Sequence, residues 1–157
     1  MNPCVQVIPQ IGLDIGSVEA KLVLLCSHPP AADLAARFER IRPFGAGWLL
    51  AGRTAVAGNP EQAALTLLEL VRSWPEPLRI LITGSHGRIL CERLQAPLIN
   101  DFKAIGRGVA ALLPQVKTIL EIGGDHSRYL RIRLNEDSSE PTIVDYERNG
   151  DCAAGTG

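Results

Sequence analysis

The sequence predicts an α/β layer fold, and three observations carry that prediction. Apolar runs such as LVLLC (22–26) and ILIT (80–83) have the length of buried strands and fall far short of a membrane span. Helical patterns are interspersed with strand patterns, in the order β-β, a mixed stretch, α, β, α, α, β, β, β. At 157 residues, with 46% apolar and 21% charged side chains, the chain can build one domain with a real core but not two comfortable ones.

Taken in order, QIGLDIG (10–16) and AKLVLLC (20–26) read as two strands joined by a tight turn containing Gly16. The Pro- and Ala-rich stretch 27–53 is poorly periodic and is expected to hold one or two short strands. In NPEQAALTLLELVRSW (59–74), Leu65, Leu68, Leu70 and Val71 predict an amphipathic helix, with Asn59 as cap and Pro60 in its first turn. LRILITG (78–84) predicts a buried strand closed by glycine, and GRILCERL (87–94) a short helix. NDFKAIGRGVAALL (100–113) predicts a helix capped by Asn100 or Asp101. TILEIGG (118–124) reads as a strand ending on a glycine pair. SRYLRIRL (127–134) alternates with period two, and PTIVDYE (141–147) makes a further strand after the polar loop NEDSS. No internal repeat or low-complexity segment stands out.

A net charge of −1 argues against a nucleic-acid partner, which calls for a basic patch. No membrane span and no signal peptide are visible, so the expected location is cytoplasmic. In that compartment Cys4, Cys26, Cys91 and Cys152 are not expected to form disulfides, and none of them has CxxC spacing. Cys26 ends an apolar run and reads as a small core residue. Cys91 in a helix and Cys4 near the chain start read as structural or incidental, which leaves Cys152 with the one suggestive setting.

Three short stretches share a chemical character: DIGS (14–17), EIGGDHS (121–127) and CAAGTG (152–157). Glycine lets backbone N–H groups approach phosphate oxygens with no Cβ in the way, and a neighbouring hydroxyl adds a donor. An acid at a strand end, such as Asp14, can hold magnesium through water. A helix beginning after the third turn would add its dipole. Each turn alone is weak evidence, because tight turns demand glycine anyway. Neither GxGxxG nor GxxxxGK[ST] occurs, so the case rests on the combination and order of the three.

GLDIGSVEAKLVLL, ITGSHGR, TILEIGGDHSRYL and DYERNGDCAAGTG, in this order, resemble the ATPase activators of 2-hydroxyacyl-CoA dehydratases and the ATPase subunits of benzoyl-CoA reductases. These belong to the actin and sugar-kinase superfamily, and the resemblance runs from about Gly12 to Gly157. It implies a ribonuclease-H-like α/β domain, a mixed sheet with antiparallel first three strands and flanking helices, forming the first lobe of a two-lobed, actin-like ATPase. Residues 1–157 are then expected to be a single N-terminal lobe that stops at the crossover to the second. The resemblance further implies ATP or ADP with magnesium clamped between lobes, a homodimer sharing one [4Fe–4S] cluster, and a partner dehydratase or reductase that receives an electron.

Carried over residue by residue, Asp14, Gly16, Ser17 and Lys21 would form the first phosphate loop, with Asp14 on the magnesium side. Gly123, Gly124 and Ser127 would form the second, and Gly155, Thr156 and Gly157 the nucleotide loop after it. Cys152 matches a cluster ligand, or else is a small residue packed beneath the loop. The sequence departs from the family pattern at Val18-Glu19-Ala20 in the first loop and at Asp125-His126 in the second. It departs most at Ala104, where the family carries its second cluster cysteine.

Two other readings compete. LINDFKAIGRG also resembles the sugar kinases of the same superfamily, in which Asp101 would act as general base on a substrate hydroxyl. The plainer reading of Asn100-Asp101 is a helix cap. A non-catalytic module that binds a partner is the third. His28 stands before Pro29-Pro30, His86 in a turn and His126 beside the second loop, with no metal-ligand spacing among them.

Overall fold

The computed structural model of the protein describes residues 8–124, 126–135 and 138–149. The chain divides into two compact units, Met1–Leu98 and Ile99–Gly157. The first contains β1 (Gln10–Ile15), β2 (Glu19–Cys26), α1 (Ala32–Ala35), β3 (Arg40–Phe44), β4 (Gly47–Ala55), α2 (Pro60–Glu69), β5 (Arg79–Thr83) and α3 (Gly87–Leu94). The second contains α4 (Asp101–Leu112), β6 (Thr118–Ile122), β7 (Ser127–Asn135) and β8 (Ser138–Arg148). No helix among the described residues is long and apolar enough to cross a membrane.

In the first unit the sheet order is β3-β4-β2-β1-β5. Neighbours run antiparallel except for β1 and β5, which are parallel. The parallel pairing requires a crossover, and α2 supplies it between β4 and β5. Strand alternation makes the core: Ile11, Leu13 and Ile15 on β1 and Ala20, Leu22 and Leu24 on β2 are buried. Registers Leu13↔Leu22, Leu24↔Leu50 and Leu13↔Ile82 set these side chains on one face of the sheet. The poorly periodic stretch after β2 resolves into the short α1 and the hairpin β3–β4, turned by Gly45 at φ +57°.

Helix α2 covers the core face, but with a stripe different from the one its leucines suggest. Ala63, Ala64 and Leu67 are its buried residues, whereas Leu65 is 46% exposed. Small alanines let the helix sit close to the strands, and Gly52 on β4 makes room for Leu70: a Cβ there would stand 2.6 Å from Leu70 Cδ1. The helix also ends at Glu69 rather than at residue 74. Its start is as expected, with Asn59 Oδ1 accepting from Gln62 N at 3.0 Å and Pro60 at the first helical position.

The second unit has an antiparallel sheet of its own, in the order β6-β7-β8, with α4 packed on β7 and β8. The last three strands thus form a second sheet instead of extending the first. The cap of α4 is Asn100, whose side chain accepts from Phe102 N at 3.0 Å. Gly106 faces β7, where a Cβ would stand 3.6 Å from Ile132 Cγ2. The period-two pattern of β7 places Arg128, Leu130 and Ile132 inward. On β6, Leu120 and Ile122 remain 69% and 77% exposed.

Candidate functional site: two acid-Ile-Gly turns

The first turn lies in the first unit, where β1 delivers Asp14-Ile15-Gly16 into the hairpin with β2. Gly16 N donates to Glu19 O at 3.2 Å, and a Cβ on Gly16 would stand 2.9 Å from that oxygen, so glycine is needed. Val56 N donates to Val18 O at 2.9 Å and ties the turn to the end of β4. Lys21, the cross-strand partner of Asp14, has its Nζ 3.8 Å from Asp14 Oδ2 and 3.5 Å from Glu19 Oε2. Arg53 adds a second cation to Glu19 at 3.3 Å. The acid that departs from the family pattern is therefore compensated from both sides, and the turn is not left with an unopposed negative charge.

ITGSHGR packs against this same turn. Gly84 has φ +96°, and a Cβ there would stand 2.6 Å from Asp14 Oδ1 and closer still to Ile15 O. His86 N donates to Ile15 O at 3.0 Å, and Gly87 N to Gly84 O at 3.0 Å. Gly84 therefore sets how closely a second loop approaches Asp14, a role that its position at a strand end did not disclose. His86 itself stands before α3, its Nδ1 3.2 Å from Ser85 Oγ.

The second turn lies in the second unit. Gly123 N donates to His126 O at 2.8 Å, closing the turn between β6 and β7. Ser127 N donates to Asn149 Oδ1 at 2.8 Å, Asn149 N returns to Ser127 O at 3.1 Å, and the Arg148 guanidinium contacts His126 Nε2. Its acid, Glu121, repeats the spacing of the first turn: Glu121-Ile122-Gly123 against Asp14-Ile15-Gly16. That repetition was the signal for Glu121, which sequence reasoning left out of the site.

Glu121 is not alone. Arg128 is 9% exposed and donates from Nη1 to Glu121 Oε2 at 2.9 Å and from Nη2 to Asp101 Oδ2 at 2.8 Å. Its guanidinium carbon lies 5.8 Å from the centre of the Phe102 ring, and that ring packs on Tyr146 at 5.0 Å. Asp101 is thus the first residue of α4 rather than its cap, placed where the helix dipole favours an acid, with a guanidinium on its carboxylate.

The described cysteines have inert settings. Cys26 is buried, with its thiol 3.2 Å from His28 O; burial, and then the charge of Glu76, pushes its pKa up. Burial likewise raises the Cys91 thiol, opposed by Arg88 and assisted by Glu92. Ala104 lies in α4, its N–H bonded to Asn100 O at 3.0 Å. No cluster of metal-ligating side chains occurs among the described residues. Cys4, Asp125, Cys152, Gly155, Thr156 and Gly157 lie outside the described residues.

No protein-family model matches this sequence. Among characterised proteins it is 22% identical over 147 residues to the (R)-2-hydroxyglutaryl-CoA dehydratase activating ATPase of Acidaminococcus fermentans, covering 94% of this chain and 49% of that protein. It is 24% identical over 147 residues to the activator of lactoyl-CoA dehydratase of Anaerotignum propionicum, with 94% and 49% covered. It is also 27% identical over 147 residues to the uncharacterised YjiL of Escherichia coli, covering 94% of this chain and 48% of that one. Among solved structures, component A of the Acidaminococcus fermentans dehydratase superposes with a TM-score of 0.64 at 21% identity, over 94% of this chain and 49% of that one. The activator of the 2-hydroxyisocaproyl-CoA dehydratase from Clostridium difficile, solved with bound ADPNP, gives 0.62 at 22% identity, over 94% and 48%. The chain spans about half the length of the relatives that it matches. Over that half the sequence is similar to activating ATPases of CoA-ester dehydratases, and the α/β fold is the one those two solved structures share, a ribonuclease-H-like domain.

Proposed function

We propose that this chain is a nucleotide-binding part of an ATP-dependent activator of a CoA-ester dehydratase. The observation that carries the reading is the repeated acid-Ile-Gly turn. One stands in each unit, each ends a strand that opens an antiparallel hairpin, and each is closed by a backbone hydrogen bond from its glycine N–H. Glycine at such turns lets an anion approach the backbone without a Cβ in the way. Gly16, Ser17 and Lys21 would hold phosphate in the first unit, with Asp14 meeting magnesium through water; Gly123, Gly124 and Ser127 would hold phosphate in the second. Gly155, Thr156 and Gly157 would complete the nucleotide contacts in the complete activator, whose partner is the dehydratase or reductase. Homodimer formation belongs to the same proposal.

The iron–sulfur cluster has less support. A [4Fe–4S] cluster takes four thiolates, α4 carries Ala104 where the resemblance calls for the second cysteine, and no cluster of metal-ligating side chains occurs among the described residues. The kinase reading has no observation to favour it: Asp101 is the first residue of α4, and its carboxylate holds the Arg128 guanidinium at 2.8 Å.

Calorimetric titration of the full-length protein with ADP and ATP, with and without magnesium, tests the reading. Binding is expected, strengthened by magnesium and weakened roughly tenfold or more by Asp14→Asn as a lost charged contact. Absence of any nucleotide binding by the wild type would sink the proposal.

A further inference from the structure

We infer that Arg128 is a positioning residue that links the glycine turn at 123–127 to the N-terminus of α4, so that occupancy of the turn is transmitted to that helix. The inference rests on the nucleotide reading above.

Geometry is the first argument. Glu121 stands on the strand entering the turn and Arg128 on the strand leaving it, and the pairs Glu121↔Arg128 and Ile122↔Ser127 place them at the turn's two stems. From there one guanidinium reaches both Glu121 at 2.9 Å and Asp101, the first residue of α4, at 2.8 Å. Phe102, the next residue of the helix, lies beneath the same guanidinium. The Asn100 cap fixes the turn of helix that bears both. Movement of either stem therefore has a direct polar route to α4.

Energetics is the second. The inward positions of β7 are otherwise apolar, with Leu130 0% and Ile132 2% exposed beside Arg128. A leucine or methionine at residue 128 would pack there without desolvating a charge. Instead the side chain is buried, and its Nε has no hydrogen-bond partner among the described residues. Buried ion pairs rarely stabilise more than the apolar residues that could replace them, so stability does not account for this arginine.

Charge is the third. One guanidinium is shared between two carboxylates, with the Arg148 guanidinium at His126 in the same turn. An incoming phosphate alters the field at Glu121, and with it the way in which Arg128 is shared between Glu121 and Asp101. Only such a difference between occupied and empty states can shift an equilibrium.

Amide hydrogen exchange on the full-length protein, with and without ADP and magnesium, tests the link. In the wild type, ADP is expected to slow exchange by roughly threefold or more both at residues 121–127 and in the first two turns of α4. In Glu121→Gln, which leaves Arg128 paired to Asp101, and in Arg128→Lys, ADP should still slow the turn, while the response of α4 is lost. A residue that only holds the fold together would raise exchange equally with and without ADP. Retention of the α4 response in both variants overturns the inference. Protection of the turn alone in the wild type overturns it too, yet leaves nucleotide binding standing, whereas protection nowhere removes both.

Discussion

Each unit holds an arginine between two carboxylates, and the two arginines differ in where they lie. Arg53, with a side chain 62% exposed, meets Glu19 at 3.3 Å and Glu39 at 3.1 Å on the surface of the five-stranded sheet. Arg128, with a side chain 10% exposed, meets Asp101 and Glu121 inside the three-stranded one. The difference follows from what each unit has to bury. All the buried hydrophobic residues described, apart from Leu130 and Ile132, belong to the first unit. That unit closes on hydrocarbon and keeps its charges outside; the second closes largely around one guanidinium and its partners. The same acid-Ile-Gly turn is therefore mounted on an apolar frame in one unit and on an ionic frame in the other.

The sharpest way to break this comparison is to damage the apolar frame. Leu22 is 0% exposed, and Leu22→Ala should cost about 2–5 kcal/mol, the range for a leucine truncated in a tight core. The chain offers a separate optical probe for each unit, since both tryptophans (Trp48 and Trp74) lie in the first and both tyrosines (Tyr129 and Tyr146) in the second. In a urea titration the tryptophan transition of the variant should move to lower denaturant while the tyrosine transition stays in place. Equal movement of both would mean that the units unfold as one, and the contrast between two frames would fail.

Next come the arginines themselves. Arg128→Ala should destabilise the second unit by about 2 kcal/mol, less than the roughly 3–5 kcal/mol for a fully enclosed pair, because Asp101 and Glu121 are 26% and 36% exposed and regain water. Arg53→Ala should cost under about 1 kcal/mol, as exposed pairs do, and the loss should shrink further in molar salt. Matched denaturation of the two variants at low and high salt measures both. Equal costs would show that burial is not what separates the two sites.

How far the sequence disclosed these frames depends on which physical signal each residue sends. Alternation at Ile11, Leu13 and Ile15 and the cap Asn59 were legible, and the cap of α4 was narrowed to Asn100 or Asp101, because these rest on local rules of period and capping. The buried face of α2 was not: Ala63 and Ala64 send little hydrophobic signal, while the exposed Leu65 sends a strong one. The first turn was legible from its acid and glycine. Its supporting Gly84 was not, since only the parallel pairing of β1 with β5 brings residue 84 to Asp14. Arg128 was hidden for the opposite reason. Period two places it inward, but hydropathy marks an arginine as outward, and its partner Asp101 lies 27 residues away. The boundary near residue 98 carries Pro97 but no glycine or serine, so composition gave no sign of it.

The smallest expected effect concerns Cys26, a polarisable group that the apolar frame encloses. Its thiol is raised above its ordinary 9.0, first by burial and then by Glu76. The folded protein therefore holds this proton more tightly than the unfolded chain does. The sign follows: the contribution is fully present below pH 9 and is lost as the pH rises through the folded-state value. The tryptophan-monitored midpoint of the wild type should fall between pH 8 and pH 10, and in Cys26→Ala that fall should be smaller, whatever the alanine costs in packing at either pH. An identical fall in the two proteins would assign the alkaline loss to other groups. A smaller one would show that even the unit closed on hydrocarbon keeps one titrating side chain inside, held in its neutral form.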